Sequence, residues 1–218
     1  MQGGCRFKSP RPPYPSLNQE DPDFIAKDLS DDAASVEIIL RKLVEEESKT
    51  VVVVMHSYGG LVGAEAVPEE LTLKDRKEKT LAGGVSHLFY FAAFVMPPGQ
   101  SVIKTVGPSP DHDVYDGRFK MRDPLATMYS DLPKEEAEYW AAKVITQSAA
   151  VMDTVMKRCA WSYVPSTYVV CTADKAVPPP VQDMFAGMAG AVKKEIKSGH
   201  SAFLSKPEEV IALIEIAH

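Results

Sequence analysis

Residues 50–63 read TVVVVMHSYGGLVG, a β-branched run that meets a serine and then small residues opening a helix. Thr50 to Met55 is continuously apolar and bounded by polar residues, the pattern of a strand buried on both faces of a parallel sheet. Two similar runs follow: Ser86 to Val95, stopped by Pro97-Pro98-Gly99, and Ser166 to Thr172, stopped by Asp174 and the prolines 178–180. A weaker strand is predicted from Val192 to Ile196. Helical patterns lie between these runs, at Leu61 to Ala66, Val181 to Met188 and Pro207 to Ala217, with Pro207 suited to a first turn. Ahead of them, Ser30 with Asp31 and Asp32 suits an N-cap, and Ala34, Val36, Ile39, Leu40 and Leu43 recur near helical spacing, predicting a helix that ends near Glu47. Strands alternating with helices imply an α/β fold, a mostly parallel sheet flanked by helices.

A chain of 218 residues, 45% hydrophobic, is long enough for one substantial core, so a single domain over 1–218 is the expectation. Its 24 basic and 30 acidic residues give a formal charge of −6, which argues against a broad surface for nucleic acid or anionic membrane and favours a small-molecule substrate. Cys5, Cys159 and Cys171 are far apart, without metal-type spacing or a disulfide framework, which fits a reducing, cytoplasmic setting. The opening Met1 to Arg6 has no apolar signal core, and no run approaches the roughly 20 apolar residues of a membrane span.

Two segments interrupt the alternation. Ser9 to Asp23 holds five prolines and reads as an irregular loop after a short strand around Cys5 to Lys8. Ser101 to Trp161 follows a strand stopped by Pro97-Pro98. It reads as a polar loop through Asp116 and then helical stretches at Pro133 to Thr146 and Ser148 to Arg158, together a helical cap over the site.

Ser57 ends the strongest strand and opens a helix. A serine at such a turn exposes its hydroxyl, and the amide of the next residue, Tyr58, points at a developing oxyanion. Gly59 and Gly63 let the helix approach the sheet. His200, in Ser198-Gly199-His200-Ser201, is a loop histidine between the last strand and the last helix, and Asp174 stands just past the C-terminal end of a buried strand, where the ligand-facing loops of such sheets gather. His56 adjoins the nucleophile and points into packing or toward substrate. Tyr129, Tyr139, Trp140 and Trp161 are candidates to line an apolar substrate pocket, set against helix-spaced packing within the insertion. Asp111-His112-Asp113 with Asp116 matches no calcium-loop spacing and reads as a solvated acidic loop.

VVVVMHSYGGLVG resembles the nucleophile elbow of the α/β-hydrolase superfamily, and is closest to small serine hydrolases and esterases of fungal and bacterial secondary metabolism. PSTYVVCTADKAVPPPVQ and SGHSAFLSKPEEV resemble the acid-bearing and histidine-bearing segments of the same superfamily, and together the resemblance covers most of residues 30–218. It implies that Asp174 is the acid of a Ser57, Asp174, His200 triad, in the chain order this fold uses, with no metal and no cofactor. Met55 departs from the usual pattern, which has glycine two residues before the serine. The resemblance also implies earlier strands, one ending in a glycine-rich loop that donates the first oxyanion amide. The expectation is therefore a fold shortened at its N-terminus, with the Thr50 to Met55 edge open and covered by Cys5 to Lys8 or by a second chain in a homodimer, and with Gly3 and Gly4 as substitute donors.

The leading expectation is hydrolysis of a carboxylic ester or lactone of a small, largely apolar metabolite through an acyl-serine. A biosynthetic lyase, cyclase or acyltransferase would use the same residues, and a non-catalytic ligand-binding protein would keep only the scaffold.

Overall fold

The computed structural model describes residues 10–217. Helix α1 (Leu29–Arg41) precedes β1 (Thr50–His56), α2 (Gly59–Ala66), α3 (Leu73–Glu78) and β2 (Gly84–Phe91). After a long insertion come β6 (Ser166–Cys171), α8 (Pro179–Met188), β7 (Val192–Ile196), the short α9 (Ala202–Ser205) and α10 (Pro207–Ile216). The insertion contributes α4 (Val102–Val106), β3 (His112–Tyr115), β4 (Arg118–Met121), α5 (Pro124–Thr127), α6 (Lys134–Ala141), β5 (Gln147–Ser148) and α7 (Ala150–Asp153).

The main sheet has the order β1-β2-β6-β7, all neighbours parallel. β2 shows why its sequence reads as unbroken apolar residues. Leu88 and Tyr90 enter the large core shared with α1 and α2, whereas Phe89 and Phe91 enter the opposite cluster with Val169, Ile196 and Val210. β1 is the sheet edge among the described residues, where an open edge was expected. Its faces differ from expectation: Val54 is 46% exposed, so the valine run is not buried on both faces. The strand expected at Cys5 to Lys8, with Gly3 and Gly4, lies outside the described residues.

α1 starts one residue earlier than its expected cap. Asp28 accepts from the Ser30 and Asp31 amides, and Asp31 accepts from the Asp28 amide, a reciprocal capping box. That frees Asp32 to face inward. The helix continues into a π-helical turn over Lys42–Glu46, close to its predicted end.

The segment 101–161 is less helical than predicted. The polar stretch around Asp116 is a hairpin, β3 pairing antiparallel with β4 and β4 with β5. Asp116 (φ 46°) and Gly117 (φ 73°) turn it through the left-handed region that tight hairpins need. The helices end at Ala141 and Asp153, short of Thr146 and Arg158. The ends of the insertion are tied together, since Gly99 N–H donates to Met156 O and Met156 N–H to Gln100 O, each at 2.9 Å.

Candidate active site

β1 ends at His56 and α2 begins at Gly59, so Ser57 and Tyr58 alone make the turn. Ser57 sits at φ 53°, a left-handed conformation that disfavours an L-residue by about 1–2 kcal/mol. The Gly60 and Phe94 amides hold it there, each donating to the Ser57 carbonyl at 3.0 Å. The turn presses α2 onto the sheet. A Cβ on Gly60 would stand 2.3 Å from the Phe94 carbonyl oxygen, and one on Gly63 2.3 Å from Met55 Sδ. The close approach thus belongs to Gly60 and Gly63. Gly59, expected to serve it, has only an ordinary 3.5 Å distance to the Tyr14 hydroxyl. Buried Met55, standing where the elbow pattern has glycine, fills the space that Gly63 leaves open.

His200 follows β7 and Asp174 follows β6, so parallel strands deliver both to the sheet edge where Ser57 stands. His200 Nδ1 lies 2.9 Å from Asp174 Oδ2, and Nε2 lies 3.1 Å from Ser57 Oγ. An ionised carboxylate only accepts, so Nδ1 carries the hydrogen and Nε2 is left to accept from the serine hydroxyl. His200 and Asp174 are buried and Ser57 is half-buried. Asp174 is held on every side: Oδ1 accepts from the Ala176 and Val177 amides at 2.8 and 3.0 Å, and Oδ2 also from Gln182 Nε2 at 3.0 Å.

Gln182 was not among the expected site residues. It is fully buried on α8, accepts from the Cys171 amide at 2.9 Å and donates to Val177 O at 2.7 Å, tying the end of β6 to the loop that carries the acid. The signal for it was a single amide among Val181, Phe185 and Ala186 on a helix just past the acid segment.

His56 makes the packing contacts expected as one of its two alternatives. Its Nε2–H donates to the His200 carbonyl at 2.9 Å, and its ring stacks on Phe91 at 5.0 Å and meets Phe203 edge-on at 5.1 Å. Burial, and next the neighbouring His200, push its pKa down from 6.5 to about 3. An unfolded chain therefore takes up a proton on His56 below about pH 6.5 that the folded chain refuses, so stability falls as pH drops through that window. With the ring partly open to solvent, the loss attributable to His56 is expected to reach about 2 kcal/mol by pH 4.5. Urea midpoints at pH 7 and 4.5 should show a steeper acid loss for the natural chain than for His56→Phe. Parallel losses would remove His56 as the cause.

Tyr58 caps the N-terminus of α2, and its amide makes no hydrogen bond among the described residues. Its hydroxyl donates to Asp32 Oδ2 at 2.8 Å. The fully buried Asp32 also accepts from the Ser16 amide at 3.0 Å and the Ser16 hydroxyl at 2.6 Å, and Gln147 Nε2 donates to Ser16 Oγ at 2.8 Å. Burial raises the Asp32 pKa against the pull of these donors. The proline-rich loop, α1 and the elbow therefore meet at one carboxylate, and the insertion reaches it through Ser16.

The aromatic residues of the insertion pack among themselves or on the core. Trp161 is in a 3-10 turn (Ala160–Ser162) packed on the main core, with its indole N–H buried and without a partner among the described residues, and Trp140 meets Tyr139 edge-on at 5.1 Å. Tyr129 is half-buried after α5, and none of the three bonds to or stacks on the triad among the described residues. In the acidic loop, Asp113 pairs with Arg122 at 2.8 Å and the His112 ring lies against Phe119. No group of three or more His, Cys, Asp or Glu side chains gathers to hold a metal among the described residues, and no helix there is long and apolar enough to cross a membrane.

Known proteins share this architecture. Polyneuridine aldehyde esterase superposes with a TM-score of 0.64 at 22% identity, covering 88% of this chain and 80% of that one. A pyrethroid hydrolase from Sphingobium faniae JZ-2 gives 0.65 at 19% identity over 87% and 78%. A methylesterase from Arabidopsis gives 0.62 at 21% over 87% and 77%. In sequence, the alpha/beta hydrolase nvfD of Aspergillus novofumigatus (strain IBT 16806) is 30% identical over 184 residues, 79% of this chain and 71% of that protein. Since the model of the alpha/beta hydrolase family also matches residues 4–213, nearly the whole of the sheet and its loops, the chain belongs to that family.

Proposed function

We propose that the chain is a serine hydrolase that cleaves a carboxylic ester or lactone of a small, largely apolar metabolite through an acyl-serine intermediate. One observation carries this: Ser57 Oγ stands 3.1 Å from His200 Nε2 while Nδ1 of the same ring is committed to a buried carboxylate. Ser57 Oγ attacks the ester carbonyl and its proton passes to His200 Nε2. The oxyanion of the tetrahedral intermediate takes the free Tyr58 amide, near the N-terminus of α2. Collapse breaks the ester C–O bond, the leaving alkoxide takes the proton from His200, and an acyl-Ser57 ester remains. Water then attacks with His200 as base, releasing the acid and restoring the serine. Asp174 fixes the ring and offsets the imidazolium charge.

No cofactor enters this sequence. The insertion 101–161 acts as the cap that sets substrate choice. The ester class agrees with the esterase and pyrethroid hydrolase names of the solved neighbours. The test is labelling with a serine-reactive fluorophosphonate followed by peptide mapping. The label is expected on Ser57 and absent from Ser57→Ala. An unlabelled Ser57 in a folded chain, or a label that maps elsewhere, would overturn the proposal.

A further inference from the structure

Four sets of bonds are among those that hold the loop that carries His200. Ala173 N–H donates to the Ser198 carbonyl at 2.9 Å, His56 to the His200 carbonyl at 2.9 Å, and the His200 ring bridges Asp174 and Ser57. These three come from the main sheet and its loops. The fourth comes from the insertion, 68 residues away: Asp131, between α5 and α6, accepts from the Gly199 amide through Oδ2 at 2.6 Å. Such a short contact is typical of a charge-assisted bond to a carboxylate. Gly199 also makes room for it, because a Cβ there would stand 2.5 Å from Asp131 Oδ1 and 2.8 Å from its Cγ. The Asp131 side chain therefore fills the space over the residue that immediately precedes the base.

We infer that Asp131 is a positioning residue for His200: its carboxylate holds the Gly199 amide, so the insertion and the imidazole are set as one unit. The inference rests on the proposed Ser57–His200 chemistry. With the insertion seated, Gly199 cannot rotate its amide away and the ring stays within reach of Ser57. With it lifted, the loop keeps its sheet-side bonds but loses the one that fixes the peptide before the ring. Because small ring misplacements slow proton transfer far more than they weaken binding, the effect belongs in the chemical step. Asp131 is exposed, so the group that its loss leaves without a partner is the buried Gly199 amide.

The test uses three variants of the full chain: Asp131→Ala, Asp131→Asn and Gly199→Ala. For an activated ester, Asp131→Ala is expected to lower kcat about tenfold with KM within twofold, and to slow fluorophosphonate labelling of Ser57 by a similar factor. Asp131→Asn keeps an acceptor oxygen and should recover to within about threefold of the natural chain. Gly199→Ala should lose as much as Asp131→Ala, and the double variant no more than either, because both break one contact. The His200 Nδ1–H proton resonance gives a reading independent of turnover, and should broaden in Asp131→Ala and sharpen again in Asp131→Asn. Natural-rate labelling in Asp131→Ala, or additive losses in the double variant, would overturn the inference while leaving the proposed hydrolase intact. A natural chain that does not label at Ser57 would remove both.

Discussion

Asp174→Asn is expected to lower turnover of an activated ester by about 10⁴-fold, and Ser57→Ala or His200→Ala by about 10⁶-fold, with the double variant no worse than either single. The asparagine result follows from the donors around the acid. Oδ1 accepts from two backbone amides, at Ala176 and Val177, so the amide oxygen of an asparagine is drawn to that position. Its NH2 then stands where Oδ2 was, facing both Gln182 Nε2 and His200 Nδ1. A donor there forces Nδ1 to accept and leaves the hydrogen on Nε2, the nitrogen that must take the serine proton. The base is disabled, and because the new NH2 also faces the Gln182 Nε2 donor in a buried site, Asp174→Asn should stay folded but unfold at a lower urea concentration than the natural chain, by about 1–3 kcal/mol. Steady-state kinetics with folding checked by circular dichroism decides it. Asp174→Asn retaining more than a tenth of natural turnover would remove Asp174 as the group that sets the tautomer.

The convergence of Ser57, Asp174 and His200 was legible because each follows a predicted strand, strong for the first two and weaker for the third, and because the resemblance pointed to Asp174 as the acid. Ser57 follows the valine run, Asp174 follows Ser166 to Thr172, and His200 sits between Val192–Ile196 and a helix opening at Pro207. In a parallel sheet all strand C-termini share one edge, so topology alone gathers loops that are distant in sequence. What was not legible depends on side chains reaching across layers. Asp32 looked like part of a helix cap, since three consecutive polar residues at a helix start fit one equally well. Only the geometry shows Asp28 and Asp31 doing the capping and Asp32 turned inward to Ser16 and Tyr58. The hairpin at Asp116-Gly117 did carry a local signal, a two-residue turn between Val114-Tyr115 and Arg118-Phe119. Flanking charges masked the alternation, and the stretch read as loop. The open edge at β1 followed from the resemblance, but the exposure of its valines did not show: an unbroken valine run reads as buried on both faces whether or not anything covers it.

The largest stability change is expected at Asp32. Asp32→Ala leaves the Ser16 amide, the Ser16 hydroxyl and the Tyr58 hydroxyl without their shared acceptor in a site closed to solvent. An orphaned buried donor costs about 1–3 kcal/mol, and three that partly rearrange should together cost about 3–5 kcal/mol. Tyr58→Phe removes one donor and leaves the carboxylate two others, so its loss should be nearer 1 kcal/mol. The carboxylate itself is a burden at neutral pH. Burial raises its folded pKa above the unfolded value of 3.8, so its contribution is fully present below that value and is lost as pH rises through the raised one. Asp32→Asn keeps an acceptor without the charge. It should lose well under half of what Asp32→Ala loses at pH 7, and the difference between it and the natural chain should shift toward the natural chain as pH is lowered to about 4. Denaturant midpoints of the three variants at pH 7 and 4 measure all of this. If Asp32→Ala stayed within 1 kcal/mol of the natural chain at pH 7, the carboxylate would not be what joins the proline-rich loop, α1 and the elbow. The Tyr58 amide would then owe its place to the strained Ser57 turn and the packing of α2 alone.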